Sequence, residues 1–280
     1  MNTSPPKAEY LPIDKLKPFD GHPFQVKDDN EMDQLVFSVL TQGLLTPITV
    51  RVTDTDEYEV ISGHRRLRAC QKAGIDTVPA LIYSMDRDAA IIALVDSNLH
   101  REHLLPSEKA HAYKMKLEAI KHQGKTSRQV VGKLESADLI ADNESGRQVQ
   151  RYIRLTNLIP EILQMVDLGK IALTPAVELS YLRKSEQRDL LETMESEDCT
   201  PSLSQSQQLK KMSQSGELDM DKIFELMRQP KANQEEKLRL DMSQIRRYFP
   251  KNYSTERIQQ TILRLLEKYE RNWRRNRDER

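Results

Sequence analysis

The sequence predicts a multidomain protein in which an α+β N-terminal domain is followed by an all-α central domain and a small α/β or helical C-terminal domain. Three observations carry this expectation. β-Branched runs are confined to the first third of the chain, strand signals almost vanish beyond Asp86, and polar Gln229–Glu236 precedes a segment with one long amphipathic pattern. The expected boundaries are a flexible tail over 1–9, a first domain over 10–103, a helical domain over 104–228, a linker over 229–236 and a last domain over 237–280. A chain of 280 residues has room for two or three such units.

Each element has a local signature. Tyr10–Leu16 reads as a short strand, and Asp28–Gln42 as a helix with Met32, Leu35, Val36 and Val39 at helical spacing and Gly43 as its C-cap. Ile48–Val52 and Tyr58–Ile61 alternate as the arms of a hairpin, Arg65–Ala73 forms a helix ending at Gly74, and Thr77–Tyr83 is a third β-rich run. Pro106 and Glu108 open a helix that runs to about Gly124. Thr174-Pro175 and Thr200-Pro201 repeat an N-cap-then-proline start. Lys237–Leu240 suits a strand and Ser254–Arg275 a long helix with Ile258, Ile262, Leu265, Leu266, Tyr269 and Trp273 on one side.

Bulk composition excludes several classes. Hydrophobic residues make up 38%, aromatics 5% and charged residues 31%, with 43 Lys+Arg balanced by 43 Asp+Glu. Such a molecule does not coat nucleic acid indiscriminately, so any DNA binding rests on local charge. No apolar run approaches the roughly 18–20 residues of a membrane span, and no membrane partner is expected. Cys70 and Cys199 have no metal-ligand spacing and suit structural roles in a reducing cytoplasm.

Val60-Ile-Ser-Gly-His-Arg-Arg-Leu-Arg-Ala69 runs a strand through a glycine into a helix with three arginines in its first turns. Gly63 permits close backbone approach, the free N–H groups of the helix start face an anion, and Arg65 and Arg66 can grip phosphate oxygens. A solvated basic helix behind a turn glycine would give the same pattern. Asp96-Ser-Asn-Leu-His-Arg-Glu102 gathers a second polar set, in which Asn98 and Glu102 suit a hard cation and Arg101 neutralises charge. Ordinary polar helix-end chemistry is the alternative there. Together the segments fit a nucleoside triphosphate with magnesium.

These segments resemble the boxes of ParB-type partition proteins. Val60–Ala69 is similar to their Gly-x-Arg-Arg-x-x-Ala box, and Ser97–Glu108 to Glu-Asn-x-x-Arg-x-x-Leu-x-Pro. His22-Pro-Phe-Gln-Val-Lys27 and Ser38–Ile48 resemble Asn-Pro-x-Gln-Pro-Arg and Ser-Ile-x-x-x-Gly-x-x-x-Pro-Ile. The resemblance implies a ParB/sulfiredoxin-like fold that binds CTP with Mg2+ and closes as a clamp on DNA. The nucleotide residues it implies are Gln25, Thr46, Gly63, His64, Arg65, Arg66, Asn98 and Arg101, with Asn98 and Glu102 toward the metal. His64 and Ser97 replace the acids implicated in the family's slow CTP hydrolysis, so at most a slow CTPase is expected. The Gly-His-Arg cluster also resembles sulfiredoxin, but that chemistry needs a reactive cysteine in the loop, whereas Cys70 falls inside the following helix. A phosphotransferase on the same fold would leave the helical half unexplained.

Between Lys121 and Arg154 there are seven Lys/Arg against four acids. Thr126–Leu134 and Ser136–Asn143 suit two short helices, Glu144-Ser145-Gly146 a turn, and Arg147–Leu155 a recognition helix. Val149, Tyr152, Ile153 and Leu155 face the core there, and Arg147, Gln148, Gln150, Arg151 and Arg154 remain for a DNA groove and its rims, with Lys133 in the first of the two short helices. An ordinary amphipathic helix with a charged face has the same periodicity. Arg151-Tyr-Ile-Arg-Leu155 resembles the ParB recognition stretch, and Gly169-Lys-Ile-Ala-Leu173 its Gly-Lys-Leu-Ser segment. The Gly-His-Ala-Arg motif that should follow keeps only Ala176, which points to a double-stranded DNA site other than chromosomal parS, on a plasmid or integrated mobile element. The resemblance also implies a homodimer formed through the C-terminal domain, nucleoid or plasmid association in the cytoplasm, and a ParA-type ATPase as candidate partner. A nucleotide-insensitive helix-turn-helix regulator is the main rival.

Overall fold

The computed structural model describes residues 6–53, 57–101, 103–125, 144–229, 245–250 and 252–278. They fall in two compact units, residues 1–229 and 230–280. The first unit opens on β1 (Lys7–Pro12), a 3-10 turn over Ile13–Lys15, and β2 (Leu16–Pro18). The single strand expected over Tyr10–Leu16 is therefore two, and β1 reaches back into the stretch expected to be a tail. Pro12, which has no N–H, is the last residue of β1 and caps the 3-10 turn. Helix α1 (Asn30–Gln42), the hairpin β3 (Ile48–Val52) and β4 (Tyr58–Ser62), α2 (His64–Lys72) and β5 (Thr77–Tyr83) follow as the hydrophobic periods predict, and α3 (Arg87–Leu99) comes next.

The strands form one five-stranded sheet in the order β1-β5-β3-β4-β2. It is mixed: β1/β5 and β3/β4 are antiparallel, while β3/β5 and β2/β4 are parallel. Ile48, Val50, Val60, Val78 and Ala80 are buried with Met32 and Val39 of α1 and Leu67, Ala69 and Cys70 of α2. Another apolar cluster joins Ile61 of β4 and Phe19 and Phe24 of the β2–α1 loop to Ala90, Leu94 and Val95 of α3 and Ala112 of the next helix. Ile61 and its neighbour Val60 point oppositely because strand side chains alternate, so β4 carries a core on each side and delivers its C-terminal end to the site.

Helix α4 (Pro106–Lys125) has the proline start expected of it. It gives Ala112 to the cluster on α3, Tyr113 and Leu117 to a contact with Val149, and Ala110 to a helical core. The remaining helices are α5 (Gly146–Leu155), α6 (Pro160–Asp167), α7 (Leu173–Leu179), α8 (Lys184–Ser196), α9 (Leu203–Ser215) and α10 (Met220–Arg228). Two starts differ from expectation. Helix α7 begins before Thr174, placing Pro175 in the first turn, where its missing N–H costs nothing. In α9 the cap is Ser202, not Thr200, because Ser202 and Gln205 form a capping box. Ser213–Ser215 ends α9, and Gly216 caps it with φ 74°. The two helices expected over 126–143, the linker beyond Gln229 and the strand over 237–240 lie outside the described residues.

The second unit contains α11 (Thr255–Asp278). Ile258 is buried, whereas Leu263, Leu265, Leu266 and Tyr269 are exposed; the Trp273 side chain lies outside those described. Phe249 meets Tyr253 at a ring distance of 6.2 Å. Tyr248 is exposed, with the Arg247 guanidinium 4.9 Å from its ring centroid.

Candidate functional site

Strand β4 ends at Ser62, and Gly63 turns the chain into α2 with φ 105° and ψ 23°. An added Cβ there would lie 3.1 Å from Arg66 Nη2, so glycine is required both for the left-handed turn and for the passage of that guanidinium. The C-terminal end of α3 approaches the same point. Gly63, His64, Arg65, Arg66, Asn98 and Arg101 line one cleft of about 370 Å³, which Ser62, Ser97, His22, Val26 and Leu35 complete. Residues about 35 apart in sequence thus meet. The lining carries three guanidinium groups and no carboxylate, with an apolar pair, Val26 and Leu35, in the same wall. A polyanion with a less polar body suits this surface.

The three arginines differ. Arg66 donates from Nη1 to the backbone carbonyls of Thr46 (2.7 Å) and Pro47 (2.8 Å), fixing the loop before β3; burial pulls its pKa down. Arg65 pairs with Asp29, whose carboxyl it holds below the usual range, and with Glu31. The Arg101 side chain has no hydrogen bond or ion pair among the described residues, which leaves it available. Asn98 is buried; its Nδ2 donates to the Leu94 carbonyl at 2.8 Å, leaving Oδ1 for another partner.

His64 and His22 stack, with ring centroids 3.8 Å apart. The Phe19 N–H lies 3.4 Å from His64 Nε2, which accepts it only when that nitrogen is unprotonated. Burial, with His22 and Arg101 nearby, pushes the His64 pKa down to about 3. His22 is lowered chiefly by burial, and its Nε2 is enclosed without a hydrogen-bond partner. Cys70 is buried in the core between the sheet, α1 and α2, its thiol pushed up by burial and unsuited to nucleophilic chemistry.

Other expected residues fall elsewhere. Gln25 does not line the cleft. Glu108, buried at the start of α4, accepts the Gln25 N–H at 2.8 Å and the Leu105 N–H at 3.0 Å, and Gln25 lines a larger cleft of about 1020 Å³ beside α4 and α6. Thr46 does not line the cleft either and serves through its carbonyl on Arg66. Glu102 and Lys133 lie outside the described residues. Asn98 Oδ1 fits magnesium as a single protein ligand beside phosphate oxygens; among the described residues no cluster of three or more His, Cys, Asp or Glu side chains could hold a metal ion. His22, Val26 and Leu35 were missed from the sequence. The signal for His22 was present, since it opens the box that contains Gln25.

In α5, Ser145 caps the helix and Val149 and Leu155 are buried. Arg147 is exposed, and Gln148, Gln150 and Arg151 are half-buried. Arg151 donates to Gln148 Oε1 at 3.0 Å and to Thr174 Oγ1 at 2.6 Å. Arg154 departs from expectation: its guanidinium lies 3.8 Å from the Tyr181 ring centroid and its Nη2 reaches the Ser180 carbonyl, because its helical position turns it toward the α7–α8 junction.

The comparisons with known proteins bear on the boxes within residues 22–48 and 60–69. Residues 2–99 match the ParB N-terminal domain. It is 35% identical over 188 residues to a nucleoid occlusion protein of Listeria innocua serovar 6a, covering 66% of this chain and 62% of that protein. It is 34% identical over 165 residues to a nucleoid occlusion protein of Listeria monocytogenes serotype 4a, covering 59% of this chain and 53% of that protein. The chain thus spans about half to three fifths of the length of these relatives. A C-terminally truncated chromosome-partitioning protein ParB from Caulobacter crescentus, complexed with CTP-gamma-S, is 25% identical, with 62% of this chain and 92% of that chain covered and a TM-score of 0.32. Among the described residues, no helix is long and apolar enough to cross a membrane.

Proposed function

We propose that the ParB-type cleft binds CTP and that its occupancy controls closure of the protein on double-stranded DNA, in a partition-like or nucleoid-occlusion-like role. The observation that carries the reading is the meeting of Gly63, Arg65 and Arg66 with Asn98 and Arg101 around one acid-free cleft. In this reading the N–H groups at the start of α2 and the Arg65 and Arg101 guanidinium groups take the triphosphate, while Arg66 holds the Thr46–Pro47 wall. Magnesium would be held by Asn98 Oδ1, Glu102 and phosphate oxygens, and supplies charge neutralisation. His64, kept neutral by burial, is a weak base and no acid, which fits binding with at most slow hydrolysis.

Residues 104–228 would read DNA, with Arg147, Gln148, Gln150 and Arg151 of α5 toward the duplex, together with Lys133, and residues 237–280 would form the dimer. The absent Gly-His-Ala-Arg motif favours a plasmid or mobile-element site over chromosomal parS, and a ParA-type ATPase remains a candidate partner. The rival nucleotide-insensitive regulator draws support from Arg65 and Arg66, which already have protein partners.

Calorimetric titration of the full chain with each of the four ribonucleoside triphosphates plus magnesium separates the two. Selective CTP binding is expected. Absence of binding, with and without DNA, would leave the plain regulator.

A further inference from the structure

The partners of Arg65 point to a residue that sets how readily the cleft accepts an anion. Asp29 Oδ1 lies 3.1 Å from Arg65 Nη2 and Asp29 Oδ2 3.4 Å from Nη1, while Glu31 Oε2 lies 3.3 Å from Nη2. These carboxylates are not equivalent. Asp29 caps α1 and accepts the Met32 N–H at 2.9 Å, so the helix start fixes its position. Glu31 lies in the first turn of α1 with an 83% exposed side chain, and among the described residues only Arg65 holds it.

A guanidinium carries its N–H donors in a rigid fork. Asp29 takes the end of that fork, one hydrogen from each terminal nitrogen. The donors left for a second bidentate partner are Nε–H and the other Nη2–H, and Glu31 covers the Nη2 member. A phosphate gripping Arg65 through this side edge must displace Glu31 and can leave Asp29 in place.

We propose that Glu31 is a built-in competitor for the phosphate chain, exchanged for a phosphate oxygen on Arg65 when nucleotide binds, while Asp29 holds the guanidinium in position throughout. This inference rests on the nucleotide-binding reading above. Glu31 then sets the concentration at which the cleft fills, and its removal tightens binding. Asp33 is the natural control: it carries the same charge on the same helix, is 73% exposed, and pairs with Lys72 at 3.5 Å instead of with Arg65.

The test is calorimetric titration of CTP with magnesium into the full-length protein and its Glu31→Gln and Asp33→Asn variants. Glu31→Gln should bind about two- to fivefold more tightly, the range an exposed ion pair is worth, and Asp33→Asn should match the parent. A gain of affinity is not an outcome that misfolding produces. Equal tightening in both variants would reduce the effect to general charge and overturn the competitor role, as would unchanged or weaker binding by Glu31→Gln while the parent binds CTP. Absence of CTP binding in all three, with or without DNA, would overturn the nucleotide reading itself and this inference with it.

Discussion

His64 offers a quantitative test of how the cleft is built. An unfolded histidine titrates near its ordinary value of 6.5, and the folded His64 near 3. The folded pKa is the lower one, so below 6.5 the unfolded chain takes up the proton that the folded chain refuses. Stabilisation by neutral His64 is present above that value and is lost as pH falls toward 3. Each pH unit costs about 1.4 kcal/mol, so lowering the pH from about 7 to about 5 should remove about 2 kcal/mol from this group alone. With a urea dependence of about 1–3 kcal/mol per molar, the unfolding midpoint of the first unit should fall by about 1 M. Tryptophan cannot report on this unit, because Trp273 lies in the other, so the assay is hydrogen-exchange protection of the β3 and β4 amides across a urea series. His64→Gln cannot take the proton and should keep most of the midpoint at the lower pH. An equal fall in parent and variant would show that the proton goes elsewhere, and the account of the buried neutral ring would be wrong.

Four further outcomes are expected. Gly63→Ala forces a side chain into a left-handed turn beside Arg66 and should cost about 1–3 kcal/mol by thermal unfolding, with CTP binding weakened. Glu108→Ala leaves the Gln25 and Leu105 N–H groups without their carboxylate, at about 1–3 kcal/mol for a buried unsatisfied group; accelerated exchange at those two amides would report it. Arg151→Ala should weaken DNA binding, with a salt slope smaller by about 1 if the side chain meets phosphate, or lose about 1–3 kcal/mol of base preference if it meets a base edge. The exposed Leu263, Leu265, Leu266 and Tyr269 of α11 predict a dimer in sedimentation equilibrium, and a monomer at micromolar concentration would refute that assignment.

The elements of the ParB domain were legible because each has a local cause. The β-branched runs at Ile48–Val52 and Thr77–Tyr83, the Gly43 cap and the Gly63 turn all act within a few residues of themselves. The strand order was not legible, since pairing β3 between β5 and β4 depends on contacts remote in sequence. Within the site, Gly63, His64, Arg65, Arg66, Asn98 and Arg101 were readable as two boxes, and their meeting follows from the sheet and α3. Gln25 lines a different cleft from the other box residues, which a motif does not reveal because it names a loop without saying which way it faces; Glu108, 83 residues away, holds the Gln25 N–H there. The surroundings of Arg154 were hidden for a similar reason: its helical period is correct, but the Tyr181 ring beneath its guanidinium belongs to a segment after α7.

The most direct test of the account measures retention on DNA at raised salt, comparing a fragment blocked at both ends with the same fragment open at one end, with and without CTP. A nucleotide-controlled clamp predicts that CTP leaves protein on the blocked fragment and lets it escape from the open one, and that an Arg65→Ala, Arg66→Ala variant is retained on neither. Equal retention on both fragments, unaffected by CTP, would contradict the claim that the cleft governs closure.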